Sequence, residues 1–209
     1  MIQEIAAIID RSGSMAGKEE DTINGINTTI EELKKNKMST ETINFSVKFF
    51  DHQEELKIRS LNIDDVVPLK MCDLRPRGQT ALLDAMGKTI TYFINKKLSK
   101  PTCFESCIIY IATDGFENAS KLYNHDNIKN LIINAKKHGI ELLYLAANQD
   151  AILEASKFGL DSNNALNYSE TPGNTHAAYR SASAVAKRRR LGNACYFLPS
   201  ERSDSVSQL

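Results

Sequence analysis

An aspartate and two serines stand at alternate positions just after a predicted buried strand. Asp10, Ser12 and Ser14 lie in the segment Asp-Arg-Ser-Gly-Ser, and Gly13 lets the backbone turn tightly between the two hydroxyls. Carboxylate and hydroxyl oxygens suit Mg²⁺, Mn²⁺ or Ca²⁺ better than metals that prefer thiolate or imidazole ligands. The segment therefore predicts a loop that can wrap a hard divalent cation.

Further oxygen donors follow at the predicted ends of other elements. Asp114 follows a second apolar run, in the same strand-then-carboxylate pattern as Asp10, and Thr80 stands at the predicted start of a helix. In a doubly wound sheet, ligands bind outside the carboxyl ends of the strands, where the winding direction reverses. We therefore expect the two carboxylates to face one point, with Thr80 adding a hydroxyl from a separate loop. The segment 146–150 follows another predicted strand and could reach the same edge.

The elements that position these side chains alternate between strands and helices. Short apolar runs predict strands at 2–9, 107–112, 140–146 and 166–168, and alternating polar and apolar residues predict a hairpin over 43–59 with an edge strand. Apolar residues three and four positions apart predict helices at 17–36, 82–97, 128–135, 151–158 and 171–190. This order predicts a doubly wound α/β fold, with a mostly parallel sheet and helices on both faces.

Three short segments, taken in order, resemble the von Willebrand factor type A (vWA) domain. They are Asp-x-Ser-x-Ser from Asp10, Gly-Gln-Thr-Ala-Leu-Leu-Asp-Ala over 78–85 and Thr-Asp-Gly over 113–115. The resemblance covers roughly residues 1–190. It implies a Rossmann-like three-layer α/β sandwich, with a mostly parallel central sheet and one antiparallel edge strand. The predicted hairpin agrees with that edge strand.

In the vWA family these segments build the metal-ion-dependent adhesion site, or MIDAS. The resemblance implies an intact site in which the hydroxyls contact the ion and the aspartates act largely through water. Mg²⁺ is favoured by its availability, with Mn²⁺ or Ca²⁺ possible, and a partner protein's Asp or Glu would complete the coordination sphere. The implied metal ligands are Asp10, Ser12, Ser14, Thr80 and Asp114.

Each of these side chains also has a simpler explanation. Asp10 or a neighbouring serine could cap the helix that begins near Gly17, Thr80 could cap the next helix, and Asp114 could be a turn residue. None of these roles explains why the three segments occur together and in order. Asp84 also matches the family's helix, but its place one turn after Thr80 favours a structural role or an exposed position over metal binding.

Composition narrows the classes of protein. The 209 residues include 26 Lys and Arg and 26 Asp and Glu, so the chain lacks the charge excess typical of proteins that bind nucleic acids or membrane surfaces. No stretch reaches the about 20 apolar residues of a membrane helix, and the first residues lack a signal-peptide pattern. Four cysteines without Cys-x-x-Cys spacing are expected to be free thiols. We therefore expect a cytoplasmic vWA domain at 1–190 and a flexible Ser-rich tail at 191–209.

These features predict an intracellular interaction module and not an enzyme. It would present Mg²⁺ to an acidic residue of a partner protein, without binding a membrane, and nucleic acid is not an expected partner. One alternative is a metal-dependent phosphoryl hydrolase. Against it, Ser12 stands where a phosphoaspartyl hydrolase needs a second Asp. The sequence also contains no P-loop or Gly-x-Ser-x-Gly motif. Another is a nucleic-acid-associated scaffold that uses the basic cluster at 187–190, although the helix dipole also favours cations there.

Overall fold

The computed structural model describes residues 1–147 and 150–206. Its strands are β1 (Ile2–Asp10), β2 (Thr42–Phe50), β3 (Glu54–Asn62), β4 (Ser106–Thr113), β5 (Ile140–Ala147) and β6 (Ala165–Tyr168). Its α-helices are α1 (Glu19–Lys35), α2 (Leu82–Ser99), α3 (His125–Lys137), α4 (Ala151–Lys157), α5 (Pro172–Arg190) and α6 (Pro199–Asp204). Asn148 and Gln149, part of the segment expected to reach the sheet edge, lie outside the described residues.

Six strands of the described chain form one sheet, in the order β3-β2-β1-β4-β5-β6. β2 and β3 pair antiparallel, whereas the other neighbouring pairs are parallel. β3 lies at one edge of the sheet, as the hairpin pattern predicted. The α/β fold with a mostly parallel sheet and one antiparallel edge strand is therefore confirmed.

Two apolar cores lie on opposite faces of the sheet and make the molecule a three-layer sandwich. α1 and α5 cover one face, and α2, α3 and α4 cover the other. Successive side chains of a strand point to opposite faces, so β1 supplies both cores. On α1 the apolar stripe that predicted the helix is the buried one, and it consists of Ile23, Ile26, Ile30 and Leu33.

The carboxyl ends of β1 and β4 form the topological switch point of the sheet. From β1 the sheet grows through β2 and β3 on one side and through β4, β5 and β6 on the other. The register pairs Ile9 with Ala112, so the next residues, Asp10 and Thr113, end the two strands side by side. The crevice outside such a point is where doubly wound sheets bind ligands.

Residues 191–206 differ from the expected flexible tail. Phe197 is 1% exposed and belongs to the core beneath α1 and α5. Its backbone N–H donates to the carbonyl of Asn163 at 2.9 Å, and α6 follows directly. One buried aromatic side chain thus anchors a segment too short to display a helical period. Residues 207–209 of the expected tail lie outside the described part of the chain.

Two features of the described chain agree with its composition. No described helix is both long and apolar enough to cross a membrane. All four cysteines are free thiols. Cys107 is fully buried in β4, and burial raises the pKa of its thiol. It therefore packs as a small apolar side chain and not as a reactive thiolate.

Candidate metal-binding site

Oxygen atoms from separate loops surround one point beside Gly115, at the carboxyl ends of β1 and β4. A Cβ atom placed on Gly115 would lie 3.1 Å from Thr80 Oγ1, 3.3 Å from Ser14 Oγ and 3.7 Å from Asp10 Oδ2. These three residues belong to the end of β1, the loop after it and the loop before α2. We call this arrangement the oxygen cradle, and a side chain at position 115 would crowd its oxygens.

The other two predicted side chains adjoin the same cradle. Ser12 Oγ lies 3.0 Å from Ser14 Oγ, and Ser14 Oγ donates a hydrogen bond of 2.6 Å to Asp114 Oδ1. Ser12 is the N-cap of a short helical turn over Gly13–Met15, which contains Ser14. The structure therefore brings together all five side chains that the sequence predicted as metal ligands.

Asp10 is a buried carboxylate at the base of the cradle. It is 0% exposed, and its oxygens accept the Ser12 N–H at 2.7 Å and the Thr113 hydroxyl at 2.6 Å. Burial raises the pKa of Asp10 from 3.8 to about 6, the negative charge of Asp114 adds to this, and the hydrogen bonds only partly offset it. The ionised form is thus held at an energetic cost that a nearby cation would relieve. Sequence reasoning missed Thr113, although it directly precedes Asp114.

Asp114 faces a cation that belongs to the protein itself. Its side chain is 1% exposed, and its Oδ2 contacts the Lys18 ammonium, which also contacts the carboxylate of Glu170. Burial alone lowers the pKa of Lys18, but hydrogen bonds and charge attraction from the two carboxylates outweigh it, so the net shift is upward. Lys18 is therefore a charged neighbour of the cradle. Sequence reasoning missed both Lys18 and Glu170, because a contact between positions so far apart leaves no local pattern.

Backbone hydrogen bonds hold the loop of Thr80 against the loops that follow β1 and β4. The Thr80 N–H donates to the Asn118 side chain at 2.9 Å, and the Asn118 N–H donates to the Thr80 carbonyl at 3.0 Å. On the other side, the Gly13 N–H donates to the Gly78 carbonyl at 3.1 Å. The backbone of the Thr80 loop is thus held between both neighbouring loops.

An ion-pair cluster around the buried Asp51 ties the same loops to the β2–β3 turn. Asp51 is 1% exposed, and its Oδ2 accepts hydrogen bonds of 2.9 Å from both Arg11 Nε and Arg77 Nε. Burial alone would raise the pKa of Asp51, but the two guanidinium groups and a backbone hydrogen bond outweigh it and lower the pKa. Arg11 adjoins Asp10 in the chain, and Arg77 lies three residues before Thr80. This cluster therefore helps to preorganise the cradle.

Helix capping does not account for the predicted side chains. The N-cap of α1 is Lys18 and the N-cap of α2 is Ala81, and neither cap makes a side-chain hydrogen bond to its helix. The first turn of α2 is instead capped from the loop after β4, where Glu117 accepts the Leu83 N–H at 2.9 Å. The competing explanations for Asp10, the serines and Thr80 are therefore not supported.

Asp84 has the structural role that its position suggested. It is 8% exposed, and its carboxylate accepts three backbone N–H groups at 2.9–3.0 Å, those of Lys121, Leu122 and Tyr123. These bonds help to lower the pKa of Asp84 against the opposing effect of burial, which is the largest single influence. The residue fastens the loop after β4 to α2 and lies outside the cradle.

The cradle fits a hard divalent cation by the chemistry of its atoms. Its side-chain donors are carboxylate and hydroxyl oxygens, which are the ligands that Mg²⁺ and Mn²⁺ take. The described residues contain no group of three or more His, Cys, Asp or Glu side chains arranged to hold a metal ion. Any ion here would therefore depend on hydroxyls and water as much as on carboxylates for its ligands.

Two residues of the basic cluster at 187–190, Arg188 and Arg190, are engaged within the fold. Arg188 donates to both carboxylate oxygens of Glu201, at 2.6 and 2.9 Å, and thereby links α5 to α6. Arg190 is 7% exposed and donates to the Gln3 side chain at 2.9 Å. These contacts are structural, and they do not favour the nucleic-acid scaffold that the cluster suggested as an alternative.

The sequence matches no protein-family model and no curated protein, but solved structures share its fold. The vWF domain of a type V pilus tip protein from Porphyromonas gingivalis has a TM-score of 0.66 at 12% identity, with 95% of this chain and 98% of that chain covered. A von Willebrand factor type A protein from Catenulispora acidiphila has a TM-score of 0.65 at 17% identity, with 88% and 42% covered. The chain has the vWA fold.

A third structure adds a metal to the comparison. Proximal thread matrix protein 1 from the mussel byssus, solved with a zinc-occupied MIDAS motif, has a TM-score of 0.60 at 15% identity, with 88% of this chain and 46% of that chain covered. This chain thus spans less than half of the mussel and Catenulispora proteins. At these identities the likeness establishes the fold and leaves the binding function to the residues of the site.

Proposed function

We propose that this vWA domain is an intracellular protein-interaction module that presents a Mg²⁺ ion to an acidic residue of a partner protein. Asp10, Ser12, Ser14, Thr80 and Asp114 would hold the ion. The hydroxyls would ligate directly, and the two aspartates would act largely through water. When bound, the ion would supply a positively charged centre, and a partner's carboxylate could coordinate to it.

The oxygen cradle beside Gly115 is the observation that carries this proposal. Three oxygens from three segments lie within 3.7 Å of one point, and Asp114 joins them through Ser14. Mg²⁺ needs six oxygen ligands, so a site with few direct protein ligands leaves positions for water and for an outside carboxylate. With only two nearby aspartates, the ion would be partly neutralised and would attract a third carboxylate strongly.

The neighbouring structures support an interaction role over a catalytic one. They include the pilus tip protein, and the mussel protein has a metal at its own MIDAS motif. Ser12 stands where a phosphoaspartyl hydrolase would carry its second Asp, which argues against the hydrolase alternative. Free thiols at all four cysteines are compatible with the proposed cytoplasmic setting.

The test is metal-dependent capture from a cell extract of the source organism. Immobilised wild-type protein is compared in Mg²⁺ and in chelator, together with Thr80→Ala and a matched control, Thr89→Ala. Thr89 is also buried, but its hydroxyl bonds to Ala85 within α2. We expect proteins that are retained only with Mg²⁺, lost with Thr80→Ala and kept with Thr89→Ala. Capture that ignores both the metal and Thr80→Ala would refute the proposal.

A further inference from the structure

We propose that Lys18 is a built-in competitor of the divalent cation. In the structure its ammonium group contacts Asp114, and it must release that carboxylate, at least in part, when a metal ion enters the cradle. The inference rests on the proposed function, because it concerns the regulation of the same site.

The position of Lys18 brings together three segments that meet at the site. It is the last residue before α1, Asp114 follows β4, and Glu170 lies two residues before α5. The Lys18 ammonium contacts one oxygen of each carboxylate. Its side chain is 28% exposed, whereas that of Asp114 is 1% exposed. The ammonium thus covers a carboxylate that has almost no contact with water.

Both oxygens of Asp114 are engaged in this arrangement. Oδ1 accepts the hydrogen bond from Ser14 at 2.6 Å, and Oδ2 faces Lys18. A divalent cation bound beside the Ser14 hydroxyl would share the Asp114 carboxylate with an ammonium group. Two cations at one carboxylate repel each other, and this repulsion is weakly screened where water is excluded. Metal binding and the contact between Lys18 and Asp114 therefore oppose each other.

Glu170 gives the displaced ammonium a place to go. Its carboxylate already contacts Lys18, and its side chain is 27% exposed. The lysine stem is flexible, so the ammonium can leave Asp114 and stay paired with Glu170. Replacing Glu170 with Gln removes this second carboxylate and leaves Asp114 as the nearest anionic partner. That change should strengthen the hold of Lys18 on Asp114 and weaken metal binding.

The experiment measures Mn²⁺ affinity by isothermal titration calorimetry on the full chain, after chelator treatment and at low ionic strength. Lys18→Met removes the charge and keeps much of the side-chain volume, whereas Lys18→Arg keeps the charge. Lys37→Met is the matched control, because Lys37 pairs with Asp64 beyond the other end of α1, roughly 25 Å away along the helix axis. Glu170→Gln tests the second carboxylate.

We expect Lys18→Met to bind Mn²⁺ roughly tenfold more tightly than the wild type, because a unit charge beside a divalent ion is removed. Lys18→Arg should bind no more tightly than the wild type, Lys37→Met should match it, and Glu170→Gln should bind more weakly. If the wild type binds Mn²⁺ and Lys18→Met binds equally or more weakly, this inference is wrong and the proposed function stands. If no variant binds Mn²⁺, both are wrong.

Discussion

The substitution Asp10→Asn tests the electrostatic cost of the metal-free site. Asp10 is fully buried, and burial raises its pKa from 3.8 to about 6. A shift of about 2 units corresponds to ~3 kcal/mol at 1.36 kcal/mol per unit. Ionised Asp10 therefore destabilises the metal-free fold at pH 7 by up to about 3 kcal/mol, and Asn removes this charge.

Asparagine can keep the hydrogen bonds of the native side chain. Its carbonyl oxygen can accept the Ser12 N–H, and its amide can donate to the Thr113 hydroxyl oxygen. The Thr113 hydroxyl can in turn donate to the Gly115 carbonyl, with which it already makes a contact of 3.1 Å. The substitution thus changes the charge with little change in packing. We expect Asp10→Asn to be about 1–3 kcal/mol more stable than the wild type in chelator at pH 7.

The pH dependence gives the sign of the effect independently. Because the folded pKa of Asp10 lies above the unfolded value, the native state binds more protons between about pH 4 and pH 6. This group's contribution to stability is therefore greatest below pH 4, falls as the pH rises to about 6, and then stays constant. Asp10→Asn should lack that fall. Mg²⁺ at 1,000 times its Kd should reverse the order of stability at pH 7, since it adds about 4.1 kcal/mol to the protein that binds it.

The assay is urea denaturation at several pH values from 4 to 7, with chelator or with Mg²⁺. Asp65→Asn is the control, because Asp65 is exposed and lies far along the chain from the cradle. A variant that is less stable than the wild type in chelator at pH 7 would refute the electrostatic reasoning. If the difference in stability between Asp10→Asn and the wild type is the same at pH 4 and at pH 6, the reasoning is refuted as well.

Three other substitutions test separate parts of the account. Gly115→Ala places a methyl group 3.1 Å from Thr80 Oγ1 and 3.3 Å from Ser14 Oγ, so it should weaken Mn²⁺ binding at least about tenfold by calorimetry. The control Gly173→Ala, whose Cβ meets no atom within 4 Å, should bind Mn²⁺ as the wild type does. Equal affinities of Gly115→Ala and the wild type would contradict metal binding in the cradle. Phe197→Ala should lower the free energy of unfolding by about 3–5 kcal/mol in urea, and a loss below about 1 kcal/mol would mean that residues 191–206 are not part of the folded unit. Gly25→Ala brings a methyl group within 2.5–2.9 Å of the Tyr179 ring and should lower the free energy of unfolding by about 1–3 kcal/mol in the same assay, through the packing of α1 on α5. An unchanged free energy of unfolding would show that the two helices can shift apart at little cost.

The sheet and its helices could be predicted because their apolar patterns are long. The stripe of α1 and the buried run of β4 each extend over two or more periods, so they indicate both the element and its buried face. The switch point between β1 and β4 followed from the alternation of strands and helices. For that reason Asp10 and Asp114 could be expected at one edge before any contact was known.

The parts that could not be predicted depend on single long-range contacts. Phe197 anchors its segment through one side chain, and α6 is too short to display a period. The contacts from Lys18 to Asp114 and Glu170 join positions that no local pattern relates. The capping role of Glu117 likewise depends on how the loop after β4 folds over α2. Such details emerge only once the tertiary fold places the loops side by side.

The most direct test of the metal site is a crystal structure of the protein soaked in Mn²⁺, with anomalous scattering data. We expect one anomalous peak in the cradle beside Gly115, within ligand distance of the Ser12, Ser14 and Thr80 hydroxyls. At least one coordination position should be held by water or an outside oxygen. A well-ordered crystal at saturating Mn²⁺ that lacks a peak there, or that binds the ion only elsewhere, would contradict the central claim.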